Sequence, residues 1–242
     1  ELFPQATIYG HPYNDVWLRR DESYLAWHDE FYERCLREEG VPESEMKWIE
    51  KMKRSLVLMG ERPLDHFLHK GDTLPGYPTW EVDEMLGHAE SHLVFIEKNE
   101  NVAITGDVLL AHIASNPLIE PPLQIGGDRP KAMLAYMDSL KRLHALNLNA
   151  VYASHGPKLI VEPSALIEQR FAQIERRKQR LLDAIQGQGA LTIYEITKLL
   201  YPEKYQTELG LTLSQVIGLL DLLTAEGILL EKKENGLYYY HD

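Results

Sequence analysis

With one cysteine, Cys35, in 242 residues, the chain can form no intramolecular disulfide and no Cys-rich zinc site. A reducing cytoplasm is therefore the expected compartment, and Cys35, lying in a helical pattern, reads as filler. Long apolar runs are missing too. Stretches such as Ser55 to Gly60 and Gly227 to Leu230 fall far short of the ~20 residues a membrane span needs, so no membrane partner is expected. Basic residues are scarce, 25 Lys and Arg against 37 Asp and Glu for a net charge of -12. Such a surface disfavours non-specific binding to nucleic acid or anionic lipid and leaves a small molecule as the expected partner. There is no phosphate-binding loop, no Gly-x-Ser-x-Gly nucleophile elbow and no dinucleotide fingerprint, and Gly126-Gly127-Asp128 reads as a loop. The first residue is Glu1, with no basic then apolar leader after it, so a cut end is expected there.

What is present is a mixed α+β pattern with 44% hydrophobic residues, enough for a packed core. Glu1 to about Gly10 reads as a short strand, and Ser23 as the cap of a helix that Gly40 and Pro42 end. A second helix is expected over Glu43 to Leu58. Trp80, Val82 and Met85 alternate as in a half-buried strand, and His92–Glu97 and Val102–Thr105 read as a hairpin. A helix from Lys131 to Leu146 then precedes a strand at Ala150–Ala153.

After Pro163 the character changes. Ser164 is expected to cap a charged helix running to about Gln186, followed by helices at Thr192–Leu200 and Thr212–Ala225. Two strands around Asn235-Gly236, a strong hairpin signal, close the chain. This order outlines a winged helix, so two units are expected, residues 1–163 and 164–242.

Three short motifs carry chemistry. His88 and His92 lie in Gly87-His88-Ala89-Glu90-Ser91-His92, between two strands; Gly106-Asp107 follows a strand directly; and Ser154-His155-Gly156-Pro157 ends a later one. Each alone reads equally as surface histidines or a turn-forming Asp. Together, donors at several strand ends can converge on one rim of a sheet, and imidazole with carboxylate suits Zn²⁺, or Fe and Mn in mixed sites.

The order Gly-His-x-x-x-His, Gly-Asp, Ser-His-Gly-Pro resembles the downstream motifs of the metallo-β-lactamase superfamily, especially its glyoxalase-II-like and lactamase-β-like branch, some members of which append a winged helix. The resemblance extends over essentially the whole chain. It implies that His88 binds one metal, that Asp107 bridges two, and that His155 binds the other, with His92 supporting them from behind. It implies hydrolysis of a small ester, thioester or lactone by metal-activated water. The family's His-x-His-x-Asp-His motif is absent, and His66-Phe67-Leu68-His69 is not a version of it. In the family that motif lies upstream of the segment resembling Ala6 to Pro12, here the extreme N-terminus.

The expected architecture is accordingly a partial αββα sandwich, the C-terminal half of the family fold, followed by a winged helix. Such a half would expose apolar sheet surface and favour self-association, for example as a homodimer. With three ligands it would bind zinc weakly and be inactive alone, with no catalytic residue beyond the ligands. Two alternatives stay open: a single-stranded RNA endonuclease of the same superfamily, for which Arg176, Arg177, Lys178 and Arg180 form a basic cluster, and a non-catalytic winged-helix regulator. Against nucleic acid, the stretch Ser164–Asp242 carries nine Lys and Arg to eleven Asp and Glu, and the expected reading helix holds Asp221 with no Lys or Arg. No nucleic-acid-binding residue is assigned.

Overall fold

Strand character near the N-terminus is confined to two residues. In the computed structural model, which describes residues 3–46 and 54–241, β1 is Tyr9–Gly10, pairing in parallel with β2, His66–Phe67. Helix α1, Pro12–Leu18, was not expected from the sequence; Pro12 suits its first turn, where an N–H has no helical partner, and His11 Nδ1 accepts from Tyr13 N–H at 3.1 Å. Helix α2 spans Glu22–Glu38, and its cap is Asp21 rather than Ser23, the carboxylate accepting from Tyr24 N–H at 2.9 Å. The helix expected over Glu43 to Leu58 appears as 3-10 turns at Glu43–Glu45 and Arg54–Leu58; residues 47–53 lie outside those described.

The central sheet has five strands in chain order: β3 (Trp80–Glu84), β4 (Leu93–Glu97), β5 (Val102–Gly106), β6 (Ala150–Ala153) and β7 (Ile160–Val161). All pairs are antiparallel except β5 with β6, which run parallel because helix α3, Ala132–Ala145, carries the chain back between them. That topology sets the site. The end of β3, the start of β4 and the ends of β5 and β6 all fall on one rim.

The two faces of the sheet differ. Ile96, Ala103, Val151 and Ile160, paired across strands, are buried in the same core as Met133, Tyr136, Leu140 and Leu143 of α3. On the other face Val82, Phe95, Ile104 and Tyr152 form one cross-strand row. It is covered at Val82 and opens along the sheet, to 44% exposure at Ile104 and 51% at Tyr152.

Beyond the sheet lie α4 (Ser164–Ile185), α5 (Ile193–Leu200), α6 (Leu209–Ala225) and a hairpin of β8 (Leu230–Glu234) with β9 (Leu237–His241). Ser164 is the first residue of α4 rather than its cap. Thr192 and Glu195 make a reciprocal capping box on α5. Asn235 and Gly236 both take positive φ, 50° and 84°, as a two-residue hairpin turn matched to strand twist requires. Helix α6 starts three residues before the expected Thr212 and is buried at every position from Leu209 to Leu223 except Leu211. A single apolar cluster runs from Tyr13 through the sheet to Tyr240. No helix among the described residues is long and apolar enough to cross a membrane.

Candidate metal centre

The rim where β3, β4, β5 and β6 meet gathers His88, His92, Asp107 and His155, the four residues singled out from the sequence. Gly87 makes the first of these placements possible. Its φ is +114°, and a Cβ there would lie 2.4 Å from the Tyr136 backbone nitrogen and 2.6 Å from the Ala132 carbonyl oxygen. Only glycine lets the loop press against α3 so closely. His88 follows immediately, at the mouth of the loop.

Asp107 is the centre of the arrangement. His88 Nε2 lies 3.3 Å from its Oδ2, and His155 Nε2 lies 3.5 Å from its Oδ1, so each imidazole meets a different carboxylate oxygen. The Ser154 hydroxyl also donates to Oδ1. His155 remains largely open to solvent, its side chain 65% exposed. Among the described residues no set of three or more His, Cys, Asp or Glu side chains is drawn together tightly enough to enclose a metal ion. The three donors form an open arc rather than a closed cage.

The hydrogen bonding of His88 bears directly on what the arc suits. Its Nδ1 lies 3.0 Å from the Asn116 carbonyl oxygen and 3.0 Å from Ser115 Oγ. A carbonyl only accepts, so Nδ1 carries the proton, and the Nε2 of a neutral ring turns its lone pair toward a carboxylate. Two acceptors facing each other attract only with a cation or proton between them. A histidine fixed by an N–H to a backbone carbonyl, with its other nitrogen free, is the usual arrangement of a metal-binding imidazole. The donor set therefore fits a divalent metal.

His92 is engaged differently. Its Nε2 accepts the Asp107 backbone N–H at 3.0 Å, and its ring fills the space beside Gly106, where a Cβ would come within 2.9 Å. Burial, helped by the neighbouring His88, pushes its pKa down to about 4 and holds the ring neutral, as an acceptor must be. With Nε2 so occupied and Nδ1 buried, His92 orients Asp107 rather than offering a lone pair to the arc. Behind the loop, Glu120 accepts the Glu90 N–H at 2.6 Å, and burial pushes its carboxyl up to about 7.

Sequence reasoning missed Ser115, Asn116 and Glu120. Asn116 acts on His88 through its backbone carbonyl, which any residue supplies, so no side-chain signal marks it.

No family model matches the chain. It is 32% identical over 236 residues to the probable metallo-hydrolase YqjP of Bacillus subtilis, spanning 96% of this chain and 72% of that protein. The solved metallo-beta-lactamase family protein TTHA1429 of Thermus thermophilus shares its fold, with a TM-score of 0.74 and 23% identity over 97% of this chain and 71% of that one. The chain belongs to the metallo-β-lactamase superfamily. A further member, the atrochrysone carboxyl ACP thioesterase AacuM of Aspergillus aculeatus, is 29% identical over 99 residues, 41% of this chain and 27% of that protein. As a metallo-β-lactamase superfamily chain, it carries the Gly-His, Gly-Asp and Ser-His-Gly-Pro stretches on a single sheet rim.

Proposed function

We propose that this chain is the larger part of a metal-dependent hydrolase acting on a small ester, thioester or lactone. The observation that carries the reading is the Asp107 carboxylate set between two imidazoles, one oxygen to each, with the proton of His88 locked away on Asn116. In this reading His88 and His155 each hold one metal and Asp107 lies between the two, with zinc the first candidate and iron or manganese alternatives. Divalent metal at such a site supplies a nucleophile from water near neutral pH and polarises the substrate's carbonyl oxygen. The chain's own groups do the positioning. Ser115 and Asn116 fix the tautomer of His88, His92 and Ser154 orient Asp107, and exposed His155 leaves the arc open to substrate.

The finer architecture belongs to the same proposal. Residues 1–163 form one half of an αββα sandwich, and 164–242 form a winged-helix unit packed on it. The open row of Phe95, Ile104 and Tyr152 supports the half-sandwich reading, because a second sheet would cover such a row. The remaining ligands would come with that second sheet, so this chain alone binds metal weakly and turns over no substrate. The match to a protein named as an acyl carrier thioesterase supports an acyl substrate.

The RNA-cleaving alternative loses support from the basic cluster. Lys178 is buried against Glu226 and Glu175, Arg177 donates to Gln215, and Arg180 donates to the Leu200 carbonyl. A reading helix is likewise not on offer, since α6 is buried almost throughout. The test is turnover by the protein extended upstream and loaded with zinc, on a panel of thioesters, aryl esters and lactones beside labelled single-stranded RNA. Acyl hydrolysis abolished by Asp107→Ala is the expected result; cleavage of RNA alone would replace this reading with the nuclease.

A further inference from the structure

We propose that Arg170, on the far side of the fold from the sheet strands, is a positioning residue for the metal centre, through which the C-terminal helices set the ring of His88. The inference rests on the metal-centre reading above. Arg170 lies on α4 and is only 6% exposed. One nitrogen of its guanidinium, Nη2, donates toward three backbone carbonyls, those of Leu110 at 2.5 Å, Ile113 at 3.1 Å and Ala111 at 3.3 Å. Nη1 donates to Gln173 at 2.8 Å, which steadies the head group.

Those carbonyls belong to the irregular segment that leads from Asp107 to Ser115 and Asn116. It begins with the carboxylate of the arc and ends with the two groups that hold His88 Nδ1. Lacking helix or strand, the segment has no backbone ladder of its own to fix its path. The other C-terminal helix meets it further on. Asn116 Nδ2 donates to the Leu211 carbonyl of α6 at 3.4 Å, and Ile119 N–H donates to Ser214 Oγ of the same helix at 3.3 Å. The segment is thus held by α4 in its middle and by α6 at its end. A shift of its carbonyls would move Asn116 away from His88 and release the ring to the other tautomer. Arginine suits the task because its planar head spreads several donors, whereas a lysine offers one small ammonium.

The experiment compares the full chain with Arg170→Met and Arg170→Lys. Two readouts are taken: Zn²⁺ affinity by competition with a chelator, and the ring N–H of His88 by long-range proton–nitrogen NMR without metal. The expected result for Arg170→Met is a Zn²⁺ affinity about 10- to 100-fold lower and loss of the protected Nδ1 proton, with Arg170→Lys in between. A folded Arg170→Met with unchanged affinity and an unchanged His88 proton would overturn the proposal, leaving Arg170 a purely structural clamp. Should Arg170→Met not fold, Asn116→Ala decides: it keeps the carbonyl used by His88 but cuts the link to Leu211, and a wild-type result in both readouts overturns the proposal as well. A wild-type chain that binds no Zn²⁺ would instead sink the metal reading and this inference with it.

Discussion

Removing the carboxylate of Asp221 should be among the most destabilising single changes in this protein. The residue sits on α6 with 5% exposure and receives Arg129 through two bonds, at 2.7 and 2.9 Å, and Lys131 at 2.6 Å. Arg129 is itself mostly covered, its side chain 15% exposed, whereas Lys131 is 48% exposed. The Lys131 pair, screened by water, contributes less than about 1 kcal/mol. The Arg129 pair is the larger quantity, because Asp221→Ala leaves a guanidinium buried without its carboxylate, and breaking a buried pair in this way costs about 3–5 kcal/mol. In urea, followed by far-ultraviolet circular dichroism, that loss moves the midpoint down by about 1–2 M at unchanged slope. Pairing Asp221→Leu with Arg129→Met should recover most of the loss, since replacing both charges removes the stranded one. An Asp221→Ala protein within 1 kcal/mol of wild type, flagged here as roughly the size of a surface pair, would refute the reasoning.

Three further expectations follow from particular side chains. Gly87→Ala places a methyl against the backbone of α3 at positive φ, and should lower stability by at least about 3 kcal/mol in thermal unfolding while displacing His88. Glu39 is 3% exposed, and burial pushes its carboxyl from 4.5 up to about 8, partly offset by Arg129. The folded protein therefore holds an extra proton between those values, so the stability contributed is full below pH 4.5 and is lost as pH rises through about 8. Glu39→Gln should flatten that slope and raise stability at pH 9 by about 2–4 kcal/mol, measured as unfolding midpoints across pH; an unchanged slope would contradict the assignment. Ile104→Lys with Tyr152→Glu, on the open sheet face, should reduce self-association in sedimentation without lowering the melting temperature.

Legibility in the sequence followed the range of the interaction. Strand Ala150–Ala153 is found where the apolar run placed it, and Asn235-Gly236 turns as its dipeptide dictates, because both are local effects. The meeting of Asp107 with the two histidines was legible as an order of motifs at strand ends; the parallel pairing of β5 with β6, which makes it possible, was not. Helix α1 was hidden because Pro12 and its neighbours read as a turn after a strand. Asp221 looked like an acidic blemish on an exposed reading helix, and burial beside Arg129 and Lys131 explains its presence instead. The clamp of Arg170 on three carbonyls left no trace at all in the segment it holds, since backbone groups are common to every residue.

The account stands most directly on whether His88, Asp107 and His155 hold metal. Elemental analysis of this chain should be run beside a version extended upstream to include the suspected His-x-His-x-Asp-His segment, each with and without Asp107→Ala. The account predicts two metal ions per extended chain, little in the short one, and loss in the extended Asp107→Ala protein. An extended protein without metal, or one whose metal content ignores Asp107, would contradict it.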